Sequence, residues 1–198
     1  MKKVLISVAI MAISIATFAQ NSSAISIQPK AGLNIAHVSN IDGSGPRYGF
    51  VAGAEAEFQL SKIFGLSAGV LYSAQGATFE GVYSGVTCDQ TLQADYLNIP
   101  ILANIYIIKG LTFKCGVQPA FNVKDNLKVE ARGNGASIAA SGKTDLKSFD
   151  FAIPLGLSYE ISNIVIDARY NLGVTSIWDK GDEKHGVIQI TLGYKFHL

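Results

Sequence analysis

The residues of this chain equipped for chemistry are charges of both signs that alternate with apolar neighbours: Lys30, Glu55, Glu57, Lys114, Asp150, Glu160, Asp167, Arg169 and Lys195. A charge flanked on both sides by apolar residues is the signature of a strand with one polar and one apolar face. Four of the nine are basic and five acidic, so on one inward row they can pair across a narrow interior, where an unpaired charge costs several kcal/mol. Asp167 and Arg169 occupy neighbouring positions of one such row and read as part of a structural ion network rather than as an acid/base pair.

Other chemistry is sparse. Ser137 to Thr144 ends like a phosphate-binding loop, but Ser stands where Gly is required and no helix-forming segment follows. His37, His185 and His197 lack metal-ligand spacing. Asp179, Asp182 and Glu183 suit a solvated turn better than a calcium loop. Serines with acidic neighbours lack the histidine a hydrolytic triad needs. No catalytic, cofactor-binding or metal-ligating residue is assigned, and the chain is expected to be no enzyme and to need no cofactor. Cys88 and Cys115 are expected to be free thiols.

The elements that carry these residues alternate with a period of two. Eight strands are predicted, over about 25–38, 48–60, 64–79, 93–107, 111–123, 148–160, 164–178 and the C-terminal 186–198. In the last, Ile188, Ile190, Leu192, Tyr194, Phe196 and Leu198 share one face, and Gln189, Thr191, Gly193, Lys195 and His197 the other. Three links are very short (Ser61 to Ile63, Ile108 to Gly110, Ile161 to Asn163), and they alternate with long ones at about 39–47, 80–92, 124–147 and 179–185. Tight turns on one rim and long loops on the other are the mark of an up-and-down barrel of an outer membrane. Alternation of Lys128, Glu130 and Arg132 with Leu127, Val129 and Ala131, up to Gly133-Asn134-Gly135, suggests that the fifth strand continues outward and returns as a tall hairpin.

The N-terminus supplies the environment. Lys2 and Lys3, the apolar run from Val4 and the small residues Thr17 and Ala19 before Gln20 read as an export signal spanning 1–19, removed to leave 20–198 as one domain. Beyond it no apolar run is long enough for a membrane helix, so a spanning chain must close as a barrel. Without Lys2 and Lys3, 14 of the 16 basic residues face 15 acidic ones, which gives no case for a nucleic-acid partner. The expected fold is all-β, an eight-stranded antiparallel up-and-down transmembrane β-barrel with the charged row inside. Phe50, Phe58, Phe64, Phe79, Tyr96, Phe149, Tyr159, Trp178 and Phe196 are expected in the interfacial girdles.

Tyr96-Leu97-Asn98-Ile99-Pro100-Ile101-Leu102-Ala103 resembles a strand motif of the PorT-like outer-membrane β-barrel proteins of Bacteroidetes, in which tyrosine and proline frame alternating aliphatics. Lys30 to Asn34, Asp167 to Gly173 and Leu192 to Phe196 look similar to further stretches of that family, so that the likeness runs over 25–198. It implies residence in the outer membrane, contact with outer-membrane lipid, and insertion by the assembly machinery that reads the C-terminal strand. That strand ends here in Leu198 rather than the common aromatic. The leading expectation is a non-enzymatic barrel presenting four external loops for surface contact or an envelope role, with segment 124–147 the candidate contact for an unidentified partner. Two alternatives are a narrow channel, to which inward glycines such as Gly32, Gly53, Gly69, Gly116, Gly156, Gly173 and Gly193 would contribute room, and a soluble lipocalin-like binder of a hydrophobic ligand, with the faces reversed.

Overall fold

The computed structural model describes residues 24–38, 44–83, 86–133, 136–142, 147–176 and 184–198; the predicted signal segment and Trp178 lie outside them. Its strands are β1 (Ala24–Val38), β2 (Ser44–Gln59), β3 (Phe64–Tyr83), β4 (Val86–Asn98), β5 (Ile101–Ile108), β6 (Leu111–Gly133), β7 (Ala136–Gly142), β8 (Phe149–Ile161), β9 (Ile164–Gly173), β10 (His185–Tyr194) and β11 (Phe196–His197). All pair antiparallel, and β10 pairs β1, which closes the sheet into a ring. Within it β5 continues β4, β11 continues β10, and β7 stands off the ring against β6 alone, so the ring has eight places. This is the eight-stranded up-and-down barrel expected from the alternation.

The ladder registers fix the inclination of the strands. From Ala24, directly opposed residues run through Gln59, Gly65, Asn104, Lys114, Gly156, Arg169 and Gln189, and meet β1 again at Asn34. The circuit closes ten residues further along the strand it began on. A shear of ten over eight strands corresponds to a tilt of about 40° and an interior about one side chain wide.

Turn chemistry matches position. Gly110 takes φ 86° and Ser162 takes φ 59° in the two-residue links after β5 and β8. In the link after β2 the Ser61 hydroxyl accepts from the Ile63 and Phe64 amides. The Leu198 amide donates to the Ile25 carbonyl, which puts the C-terminus on the same rim as these turns.

Several boundaries differ from the sequence reading. The fourth strand is interrupted at Ile99-Pro100, since proline cannot donate to a ladder. Segment 80–92 is no open loop: β3 and β4 stay paired up to Tyr83 and Val86. The tall hairpin after the fifth strand is present as β6 and β7, paired between Gly133 and Ala136 and between Leu127 and Gly142. β9 ends at Gly173 and the last strand breaks at Lys195. Together β3, β4, β6 and β7 form a wall that rises beyond the ring on one side.

How the wall joins the barrel follows from solvent. In lipid a strand turns its apolar side chains outward, and in water it must turn them inward. On β6 the odd residues Phe113, Val117 and Phe121 lie on the outer face, opposite the buried Lys114, Gln118 and Ala120. The ladder to β4 then slips by one at Val123: Asn122 opposes Tyr96 and Lys124 opposes Asp95. Above that bulge the odd residues face inward, so Leu127 opposes the buried Leu92 while Lys128 opposes Thr91 outside. One extra residue thus converts a lipid-facing strand into a water-facing one. β3 makes the same change in its sequence, from outward Leu66, Val70 and Tyr72 to inward Ala77 and Phe79, which pack on Val38. Phe79 is therefore not a girdle residue. Nor is Tyr96, which is buried in the interior against Ala94 and Ala120. Phe50, Phe64, Phe149, Tyr159 and Phe196 are exposed on the outer face, and Phe58 is half-exposed there.

The inward glycines do not widen the lumen. A Cβ on Gly32, Gly53, Gly69, Gly116, Gly156 or Gly173 would collide with a carbonyl oxygen of the adjacent strand, respectively that of Ile190, Val70, Ala54, Ile101, Ala168 and His185. They allow the close approach that a strongly coiled small barrel demands. Gly116→Ala should therefore lower folding stability by about 1–3 kcal/mol, read as a lower midpoint in urea titration of heat-modifiable gel mobility. Gly142→Ala, where an added Cβ meets nothing, should stay within about 0.5 kcal/mol of the parent.

Candidate functional site

Each of the nine charges singled out in the sequence points into the barrel, eight of them buried and Glu160 half-buried, and they separate into groups. Five meet in one cluster. Lys30 Nζ lies 2.8 Å from Glu55 Oε2 and 3.2 Å from Asp167 Oδ2, and Lys114 Nζ lies 3.0 Å from the same Asp167 oxygen. Arg169 donates to both carboxylates, through Nε and Nη2 to Asp167 (2.9 and 2.7 Å) and through Nη1 and Nη2 to Glu55 (2.9 and 3.3 Å). The planar guanidinium holds Asp167 bidentately from two residues away on the same strand, where it also reaches across to β2. All five are buried, so the two carboxylates, shared among three cations, bind β1, β2, β6 and β9 together across the lumen.

A second group sits at the turn rim. Lys195 Nζ is 2.9 Å from both Glu57 Oε1 and Glu160 Oε2, and the Tyr106 hydroxyl donates to Glu57 at 2.9 Å. These residues border a cavity of ≈ 670 Å³ open to that rim, beside Thr112 and His197. Asp150 joins neither group: it accepts from the Thr175 hydroxyl and from the Phe151 amide toward the loop rim.

Between the ion cluster and the loop rim the groups in the lumen, Asp150 apart, are uncharged. Asn34 Nδ2 donates to Ser73 Oγ (2.8 Å) and the Ala74 carbonyl, and Gln75 Nε2 donates to the same Ser73 hydroxyl (2.9 Å). Tyr96 lies edge-on to His185, with the hydroxyl and Nε2 3.4 Å apart. Leu71, Val51 and Leu102 also face inward and are buried. Toward the loop rim Val38, Ala77, Leu92 and Val187 are buried, none more than 2% exposed, and Val38 and Ala77 pack together with Phe79.

Some of these were visible in the alternation and some were not. Tyr106 and Asn34 occupy inward positions of their strands, so their parity announced them. A further constellation, Arg47, Tyr72 and Asp95, did not announce itself. The Tyr72 hydroxyl donates to Asp95 at 2.7 Å, Arg47 lies 3.6 Å from the same carboxylate, and its guanidinium also donates to the Gln75 carbonyl. Arg47 falls in what reads as a loop, and irregularities between Pro46 and Val51 and at Asp95 bring the three together. No group of histidine, cysteine and carboxylates that could hold a metal occurs among the described residues. Cys115 is a free thiol on the outer face, and the side chain of Cys88 lies outside the description.

The environment follows from the two faces. Leu33, Phe50, Ile107, Leu157, Ile190 and Leu192 project from the outside of the ring, Leu33 with 66% exposure, while the charges lie within. The reversed, lipocalin-like assignment is thereby overturned, because its apolar residues would have to line the interior. A ring with no open edge, an apolar exterior and a polar interior defines a transmembrane β-barrel.

Residues 18–179 match the outer membrane protein beta-barrel domain, and the chain belongs to that family. It is a protein of the bacterial outer membrane. No curated protein matches the sequence. Among solved structures, Ail, the attachment invasion locus protein of Yersinia pestis, aligns over 88% of this chain and 100% of its own, at 18% identity and a TM-score of 0.51. Neisserial surface protein A aligns over 87% and 97%, at 17% identity and a TM-score of 0.45. OprG from Pseudomonas aeruginosa aligns over 89% and 97%, at 12% identity and a TM-score of 0.44. At that identity the likeness to Ail is one of fold.

The cluster makes a quantitative expectation. Asp167→Asn leaves three buried cations facing one carboxylate and should destabilise the barrel by about 3–5 kcal/mol. Adding Lys114→Met to that variant should restore part of the loss. Equilibrium unfolding in lipid vesicles checks both, and a single variant as stable as the parent would mean that the cluster does not hold the ring.

Proposed function

We propose that this protein is a non-enzymatic outer-membrane barrel whose filled body holds an external wall in place for contact with molecules outside the cell. The observation that carries the reading is the pairing of a plugged lumen with a wall raised on one side. Five interlocked charges and the buried side chains above them, Tyr96 and His185 among them, occupy the space a solute would need, whereas β3, β4, β6 and β7 extend past the bulge at Val123. A transport role would invert that investment, with a clear lumen and short loops.

Within the outer-membrane family we place the chain with the PorT-like proteins of Bacteroidetes, on the motif Tyr96 to Ala103 and its companions in β1, β9 and β10. Residues 1–19 serve as the export signal and 20–198 form the mature domain. The partners are outer-membrane lipid, the assembly machinery during insertion, and a molecule at the external segment 124–147. Phe196, on the outer face near the C-terminus, takes the part of the terminal aromatic.

Carbonate extraction and planar-bilayer recording test the reading together. Expected are retention in the membrane pellet with heat-modifiable mobility, and no unitary conductance above leakage. Stepwise conductance through the parent protein that disappears on heating would replace surface contact by transport.

A further inference from the structure

We propose that the free edge of β7 accepts an extended segment of a separate protein by strand addition, outside the cell. The proposal rests on the surface-contact reading and names the place and the kind of partner.

β7 is the one strand of the wall that has, among the described residues, a ladder on one side only, to β6. Alternate residues of such a strand turn their backbone NH and CO groups away from the sheet, ready to template another chain. Its sequence, ASIAASG, contains none of the charges or prolines with which edges are commonly blocked. Ala140, Ser141 and Gly142 are exposed, and a Cβ added at Gly142 meets nothing within 4 Å. The edge also stands clear of the bilayer. A tilted strand crosses with about 9–11 residues, and β6 has 23, so β7, which pairs with its last third, lies in the aqueous phase.

A second copy in the same membrane is the wrong occupant. Two upright barrels are related by an axis along the membrane normal, and strands inclined by about 40° would then cross at about 80°, which permits no ladder. A flexible segment of another protein carries no such constraint and can align with the edge. The wall also specifies its side chains. Ala140, Ser141 and Gly142 leave β6 open beside them: Val129 opposes Ala140 on the inner face, and on the outer face the exposed Lys128 opposes Ser141, with Lys124 further down and Glu130 opposite Ala139. A strand with apolar residues on one face and an acidic residue level with Lys128 on the other fits both.

The test uses the folded full-length mature protein in lipid nanodiscs and a synthetic peptide of alternating valine and glutamate, with a version N-methylated at every second amide and one of scrambled order. Expected is saturable binding of the alternating peptide with slowed amide exchange over 137–141, and at least a tenfold loss on N-methylation, on scrambling, or in Ala139→Pro. That variant should keep its heat-modifiable mobility because β7 lies outside the ring. Binding that survives both N-methylation and Ala139→Pro, or no binding by the alternating peptide, would overturn strand addition at β7. Protection of external segments other than β7 would do so while leaving surface contact standing, and absence of protection anywhere on the external side, in a protein that conducts, would remove both. Slowed exchange over 137–141 without peptide, seen only in discs holding two copies, would assign the edge to a second copy and overturn the proposal.

Discussion

Everything in this molecule depends on the obligation that backbone groups inside a bilayer find their partners within the chain. No water competes there, and each unsatisfied amide or carbonyl costs several kcal/mol. The ladder between β1 and β10 discharges the obligation by leaving the ring without an edge. Closure over eight strands with a shear of ten then sets the bore, and the bore sets what fills it. An interior one side chain wide admits Lys30, Glu55, Lys114, Asp167 and Arg169 only as an interlocked set, each carboxylate answered by more than one cation. The glycines beside them belong to the same economy of space, since tight coiling brings neighbouring carbonyls where a methyl would stand.

Solvent changes halfway up the molecule, and the chain answers with two devices. On β6 the backbone takes an extra residue at Val123 and the unbroken odd-apolar pattern swaps faces. On β3 the pattern itself shifts, from even to odd apolar positions between Tyr72 and Ala77, where Gly76 takes φ 139° and the ladder to β2 changes register. Both place the transition at the height where Tyr72, Asp95 and Arg47 form their small polar group, which suits a boundary between hydrocarbon and headgroups.

Much of this is legible in the sequence, because a period of two and a set of short links are local features. The eight places of the ring, the inward direction of all nine charges, and the turns at Ser61, Gly110 and Ser162 could all be read residue by residue. The continuation of the fifth strand into a hairpin was announced by Gly133-Asn134-Gly135. What escaped were matters of register. The pairing of β3 with β4 through Tyr83 and Val86 depends on a partner ladder that composition does not reveal. Tyr96 looked like a girdle aromatic because aromatics mark interfaces, yet its parity with Asn98 places it inside against His185. The division of the charges into a central five, a rim group and a solitary Asp150 depends on shear, which a single strand does not encode.

The extra residue at Val123 divides the molecule into two parts under different constraints. Below it every residue is tied to the circumference through shear and lumen packing, so that insertions there disturb the whole ring. Above it the inside and outside of the hairpin are set afresh, and residues added in matched pairs at the tip, beyond the ladder to β4, leave the registers of the ring unchanged. The bulge thus separates a body whose length the ring and its lumen fix from an appendage whose length they do not.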